Sequence, residues 1–262
     1  MSDVGAAYDA SGAVWHTGPS RVYEPLAVAL LDRAPVDLAG RRVLDVGAGT
    51  GIASRVALRA GAALVVAADL APGMLRLRDP TVRAVVADAQ ALPFAEASLD
   101  LVVAAFSLGH LPDPARGLRE ARRVAPALAA SAFDPSWGHP AKAAVDEVMG
   151  EFGFRTPDWY VELKSHESDV EDPDALADLA RRAGYDEVEV ARVDVETGVA
   201  TPEAMVDWRW GMAHLAPFVA SLGPERRREA REAAEAAVEG QPPVVVPMLA
   251  LSAQAASSSR RE

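Results

Sequence analysis

The nine residues from Val43 to Gly51, reading VLDVGAGTG, constrain the fold more than any other stretch. Val43, Leu44 and Val46 form a short apolar run with the β-branched bias of a strand buried on both faces. Gly47, Gly49 and Gly51 then fall where such a strand must turn sharply into a helix. Glycine there accepts positive φ and lets the backbone approach a ligand closely. Apolar residues recur at helical spacing from Ile52 to Ala60, so the first N–H groups of that helix point back at the loop. The outline is that of a nucleotide cradle, although a tight strand-to-helix turn with no ligand has the same local pattern.

Three further stretches lie at the distances a cradle requires. Leu64 to Ala68 reads as a second buried strand ending in Asp69, twenty residues beyond Gly49, where a doubly wound fold places an acid for the ribose hydroxyls. A third strand, Val82 to Ala87, runs into Asp88, Ala89 and Gln90, and a fourth, Leu99 to Ala104, runs into Ala105, Phe106 and Ser107. Polar or small residues at four successive strand ends satisfy the rule that ligands bind outside the carboxyl ends of parallel strands. A dinucleotide loop has the spacing G-x-G-x-x-G; position 52 is isoleucine and the run is G-A-G-T-G, which lowers a nicotinamide reading without removing it.

Together with VVAADLAPGML from Val65 to Leu75, ADAQALPF from Ala87 to Phe94 and LDLVVAAFSLGHLPDP from Leu99 to Pro114, the loop resembles the class I S-adenosylmethionine-dependent methyltransferases, in their small-molecule branch with an N-terminal helical cover. The resemblance is strong from Tyr8 to Val124 and architectural beyond. It implies an α/β fold with a doubly wound, seven-stranded, mostly parallel Rossmann-like sheet, S-adenosylmethionine as cofactor, S-adenosylhomocysteine as product and a small-molecule methyl acceptor. Asp45 and the backbone of Gly47 would hold the methionine part, and Ala48, Gly49 and Gly51 would let the cofactor lie against the chain. Asp69 would take the ribose hydroxyls, with Leu70 and Met74 packed on the adenine. Asp88 would accept from the adenine amino group and Ala89 would offer its N–H to the ring, with Gln90 beside them. Phe106 and Ser107 would border the sulfonium, and Tyr8 and Arg21 would reach the methionine end from the cover. The residues themselves leave alternatives open: Asp69 and Asp88 as solvated loop acids, Asp45 as a carboxylate satisfied by loop N–H groups, Arg21 as a solvated side chain. The chain departs from the family before its fifth strand, where Ala125, Pro126 and Ala127 replace the usual arginine, proline and two glycines.

The 262 residues are read as one domain: a cover over 1–40, a cofactor-binding core over 41–133, lid insertions over 134–170 and 200–240, and a loose tail over 253–262. Helices are expected over Pro19 to Ala34, Pro112 to Val124, Ala141 to Phe152, Asp172 to Ala183, Pro202 to His214 and Pro224 to Val238. Strands are expected over Leu128 to Phe133, Val188 to Val195 and, antiparallel, Val244 to Leu251. The formal net charge of -12 argues against nucleic acid, whose binding requires several Lys or Arg to neutralise phosphates. No stretch approaches the roughly 20 apolar residues of a membrane span, and the N-terminus lacks a signal peptide pattern, so a cytoplasmic location is expected. The absence of cysteine excludes disulfides, thiolate metal sites and cysteine nucleophiles, and no two histidines have ligand spacing, so no metal is expected.

All five tryptophans, at 15, 137, 159, 208 and 210, lie outside the predicted sheet. Trp15 and His16 in the cover, and Trp137, His139, Trp159, Trp208 and His214 in the insertions, are the residues expected at the acceptor; each ring could instead pack an insertion onto the sheet. Methyl transfer from a sulfonium is an in-line displacement that needs alignment and water exclusion, and a base only if the acceptor arrives protonated. His110, within SLGHL after the fourth strand, is the candidate base, or else a packing residue at a helix start. The expected function is methyl transfer to O or N of a small hydrophobic or aromatic metabolite, as in natural-product tailoring. The alternatives are a protein that holds the cofactor without transferring its methyl group, and a nicotinamide-dependent oxidoreductase.

Overall fold

The computed structural model describes residues 3–166 and 168–256. Seven strands, β1 (Arg42–Val46), β2 (Leu64–Asp69), β3 (Arg83–Val86), β4 (Leu101–Ala105), β5 (Ala127–Phe133), β6 (Glu187–Glu196) and β7 (Val245–Gln254), form one sheet in the order β3-β2-β1-β4-β5-β7-β6. The pairs from β3 through β5 are parallel, and β7 runs antiparallel to both β5 and β6. Alternate residues of each central strand enter opposite cores: Val43, Val65, Leu101 and Val103 on one face, Leu44, Ala68, Val102 and Ala104 on the other. Burial on both faces explains why these strands read as continuous apolar runs.

The helices are α1 (Asp3–Thr17), α2 (Ser20–Leu31), α3 (Ile52–Arg59), α4 (Pro72–Leu75), α5 (Pro114–Val124), α6 (Pro140–Glu151), α7 (Asp158–His166), α8 (Ser168–Glu171), α9 (Pro173–Arg182), α10 (Pro202–Trp210), α11 (Ala216–Ser221) and α12 (Pro224–Ala237). Asp113 and Asp172 cap α5 and α9 by accepting from Arg116 and Ala175 N–H, each followed by a proline at the first turn. The chain leaves β1 toward β2 on one side and reaches β4 on the other, so the sheet changes winding direction between β1 and β4. A crevice opens at that point, above the carboxyl ends.

The structure differs from the sequence expectations in four places. Residues 3–17 are helical, although Gly5 and Gly12 mask the pattern; a Cβ at Gly12 would come within 3.0 Å of Leu77 Cδ1, so a small residue is what lets α1 settle on α4. α1 covers the crevice and α2 reaches it only with Tyr23 and Ala27, because Val22, Leu26, Leu30 and Leu31 are buried in the layer beside α3. The two insertions pack on each other: α6 lies against α10 and α12, and Trp137 against Trp208. Ala253 and Gln254, expected in the tail, belong to β7, paired with Leu128 and Ala127; 257–262 lie outside the described residues. Among the described residues no helix is long and apolar enough to cross a membrane.

Candidate active site

The loop after β1 is fastened to the end of β2. Gly47 and Ala48 both donate their N–H groups to Ala68 O, at 2.8 and 3.1 Å, and Gly51 N–H closes the turn onto Ala48 O at 2.8 Å. Gly47, Gly49 and Gly51 have φ of 67, 54 and 75°, in the left-handed region that only glycine enters without strain. A Cβ at Gly47 would also collide with the Ser107 Cβ, so the loop and the end of β4 meet backbone to side chain; Ser107 Oγ donates to Val46 O at 2.8 Å. Gly51 lies outside the cavity lining and serves as the residue that starts α3.

Three carboxylates stand at the ends of three adjacent strands. Asp45 is 2% exposed, and its Oδ2 accepts from Ser54 Oγ of α3 at 2.6 Å. Burial pushes its carboxyl up to about 6, against the Ser54 hydrogen bonds and with the charge of Asp69 adding to the rise. Asp69 Oδ2 accepts from Gly49 N–H at 2.7 Å and Oδ1 from Ala71 N–H at 2.8 Å; burial raises this carboxyl as well. Each oxygen retains a second lone pair for a further donor. Asp88 Oδ1 accepts from Gln90 N–H at 2.8 Å, while Gln90 Oε1 accepts from Asp113 N–H at 3.1 Å, which ties the β3 end to the cap of α5.

These groups line one wall of a cavity of about 450 Å³, within the usual range for small-molecule sites. The carboxylates of Asp45, Asp69 and Asp88 face it, and among the described residues no lysine or arginine does. Gly47, Ala48 and Gly49 form the floor, Leu70 and Met74 one apolar side, and Ala89, Gln90 and Ser107 also border it. The opposite wall is aromatic. Tyr8 meets Trp15 at 5.4 Å between ring centroids, Trp15 meets Tyr23 at 5.2 Å, Tyr23 meets Phe106 edge to face at 5.6 Å, and Phe106 meets Phe133 at 4.5 Å. Phe106 has φ 55°, a conformation costing a bulky residue on the order of 1–3 kcal/mol and found mainly where a site demands it. Its N–H is held at 3.2 Å by both O and Oγ of Ser131. His110 lines the cavity from the 3-10 turn Leu108–His110, with its ring 5.6 Å from Tyr8.

The remaining expected site residues lie elsewhere. Arg21 is exposed, one position from the buried stripe of α2, and His16 is exposed beside Trp15, which takes the inward direction of α1. His139 caps α6: Nδ1 accepts from Ala141 N–H at 3.2 Å, which leaves Nε2–H to donate to Pro242 O at 3.1 Å. Trp208 is buried in the insertion core against Trp137, and His214 is stacked on Tyr160 at 3.9 Å. Trp159 packs edge to face on Tyr160. Trp137 is one ring removed from the cavity, 6.3 Å from Phe133. These residues assemble the insertions because each finds its partner there. The sequence reading missed Tyr23, Phe133 and Thr50, all in the lining. Phe133 obeys the same strand-end rule as Phe106, and Tyr23 lies one helical turn from Ala27, also in the lining. Thr50 Oγ1 is buried without a hydrogen-bond partner in the described structure.

Residues 44–126 match the profile of the methyltransferase domain family. A demethylmenaquinone methyltransferase of Renibacterium salmoninarum is 39% identical over 127 residues, covering 47% of this chain and 52% of that protein. The chain thus spans about half the length of the first curated relatives it matches. It covers more of the demethylmenaquinone methyltransferase of Streptomyces griseus, 30% identical over 199 residues, 71% of this chain and 84% of that one. In fold it is similar to phosphoethanolamine N-methyltransferase 2 of Haemonchus contortus, solved with S-adenosyl-L-methionine: TM-score 0.55, 18% identity, 88% of this chain and 52% of that one. With its seven-stranded sheet and glycine loop, the chain belongs to the class I S-adenosylmethionine-dependent methyltransferases.

Proposed function

We propose that this chain transfers the methyl group of S-adenosylmethionine to an oxygen or nitrogen of a small, planar, aromatic metabolite. The observation that carries the reading is the division of one cavity into an acidic wall and an aromatic wall, with no lysine or arginine in its described lining. Such a site favours a ligand bearing positive charge and disfavours the pyrophosphate of a dinucleotide. The residues fit the cofactor on three further counts: a glycine floor where a Cβ would intrude, carboxylates with lone pairs to spare, and Met74 and Leu70 beside Asp69 as an apolar side for a purine. Bound there, S-adenosylmethionine supplies a methyl group on a cationic sulfur, already activated toward a nucleophile.

The protein's own part is alignment and dryness. Asp69 accepts from the ribose hydroxyls, Asp88 and the Ala89 N–H meet the adenine edge, and Asp45 sets a negative charge beneath the cationic end. Phe106, Phe133 and Tyr23 exclude water from the reacting pair and give a planar acceptor a surface to lie on. His110 takes the proton when the acceptor is a hydroxyl or an ammonium. The test is calorimetric titration with S-adenosylmethionine, followed by S-adenosylhomocysteine release with a panel of phenols and aromatic amines. Asp69→Ala and Gly49→Val are expected to lose most of the binding, and undiminished affinity in both would count against the assignment. Binding without S-adenosylhomocysteine release from any acceptor would favour a protein that holds the cofactor unreacted.

A further inference from the structure

Asp45 places a carboxyl inside the sheet, between neighbours that offer it nothing polar. Its partners in register are Ala67 on β2 and Val103 on β4, both buried in the core on that face. Burial pushes such a carboxyl toward its neutral form. Among the described residues the one side chain that hydrogen-bonds it is Ser54, on the first turn of α3 and itself fully buried. Ser54 donates twice: its hydroxyl reaches Oδ2 at 2.6 Å, and its backbone N–H bonds the same carboxylate.

A distance of 2.6 Å is that of a hydroxyl held by an ionised carboxylate, a bond roughly twice as strong as one between neutral groups. Both Ser54 bonds act against burial and leave the carboxyl at about 6. The charge that reaches it from another element is that of Asp69 on β2, which opposes ionisation. The other titratable side chains in the described lining are Tyr8 on α1, Tyr23 on α2, Asp88 after β3 and His110 before α5, none of them a fixed cation. Of the α3 arginines, Arg55 is turned to Thr50 O and Arg59 to Glu24. Ser54 lies outside the cavity lining, so whatever it does for a ligand it does through Asp45.

We propose that Ser54 is a positioning residue for cofactor binding: its hydroxyl keeps Asp45 ionised and in place beneath the cationic end of S-adenosylmethionine. This role rests on the cofactor reading of the cavity and adds to it the residue that keeps the acidic wall charged near neutral pH.

The test is calorimetric titration of the full chain with S-adenosylmethionine between pH 6 and 9, in the parent and in Ser54→Ala. Loss of a hydrogen bond to a charged group moves the Asp45 inflection upward by about one to two pH units. Ser54→Ala is therefore expected to bind about two- to tenfold more weakly than the parent at pH 7 and equally well at pH 9. Added to Asp45→Asn, the same substitution is expected to change nothing at either pH. A loss that is equal at pH 7 and 9, or that persists beside Asp45→Asn, makes Ser54 a packing residue and overturns its role. Carbonyl carbon-13 NMR of the cofactor-free chain, with Asp45 identified by its absence from Asp45→Asn, reads the carboxyl without any ligand. Its inflection is expected to rise in Ser54→Ala, and an unmoved inflection overturns the role even where binding falls. Absence of S-adenosylmethionine binding by the parent chain overturns the cofactor reading, and this role with it, whatever the inflection does.

Discussion

The Asp69 carboxylate accepts a hydrogen bond from the Gly49 N–H at 2.7 Å, joining the end of β2 to the loop after β1 across twenty positions of sequence. The acid that would hold the ribose thereby also sets the shape of the glycine floor. Burial opposes its charge, and the backbone N–H groups of Ala71, Gly49 and Leu70 offset part of that cost.

Gly49 separates ligand contact from backbone strain. Gly49 and Gly40 have φ of 54 and 73°, and alanine at either should cost roughly 1–2 kcal/mol for the left-handed backbone. Nothing lies within 4 Å of a Cβ at Gly40, which is outside the cavity, whereas a Cβ at Gly49 would stand 3.3 Å from Met74 Cε in the cavity floor. Gly49→Ala is expected to weaken S-adenosylmethionine binding at least tenfold, and Gly40→Ala to leave it unchanged at similar loss of stability. Equal affinities in the two variants, measured by calorimetry, would refute a floor in contact with the ligand.

Asp45 makes that binding depend on pH. Its carboxyl is raised from 3.8 to about 6 in the folded chain, so its contribution to stability is fully present below about pH 4 and is lost as pH rises through 6. At pH 7 the buried charge costs at most about 3 kcal/mol, and Asp45→Asn should recover part of that, the gap closing by pH 4. A cationic ligand favours the ionised form, so affinity should fall by up to about tenfold per unit below pH 6, with proton release on binding. Calorimetry near pH 6 in buffers of different ionisation enthalpy reads the proton directly; no release, or the same pH profile in Asp45→Asn, would remove Asp45 from the cationic end.

The cofactor half was legible because each of its residues is fixed by a local rule. Asp69, Asp88 and Phe106 each end a strand, and parallel strands align their ends whatever the loops contain. The insertions follow no such rule. Trp137 and Trp208 touch at 6.2 Å across 71 positions of sequence, and Asp146 pairs with Arg209 across 63, contacts that depend on how two helical segments meet. Aromatic content showed that these segments bury rings but not against what. The α1 helix escaped because its contact with α4 runs through Gly12 and Gly73, residues that weaken a helical pattern while permitting close approach; the Asp9 carboxylate accepts from Gly73 N–H there.

His139 is expected to matter to stability and not to binding. With Nδ1 capping α6 and Nε2 tied to Pro242, it joins the start of one insertion to the end of the other. His139→Ala removes the cap and the hydrogen bond to the Pro242 carbonyl, a loss of about 1–3 kcal/mol. Urea unfolding should show this while S-adenosylmethionine affinity and the KM of an acceptor stay at the parent values; a raised KM with unchanged stability would return His139 to the acceptor site.

His214 should set part of the acid sensitivity of the fold. Burial, with three cations near, lowers its imidazole from 6.5 to about 3. A folded value below the unfolded one gives stability that is present above pH 6.5 and is lost as pH falls toward 3, because the unfolded chain binds the proton first. The slope approaches about 1.4 kcal/mol per pH unit within that window. His214→Phe keeps a ring against Tyr160 and removes the proton site. Urea unfolding at pH 7, 6, 5 and 4 should therefore show the parent losing stability more steeply than the variant. The comparison cancels the carboxylates common to both chains, including the opposite trend from Asp45, so identical slopes would mean that the imidazole is protonated inside the fold and that the cations around it are already neutralised.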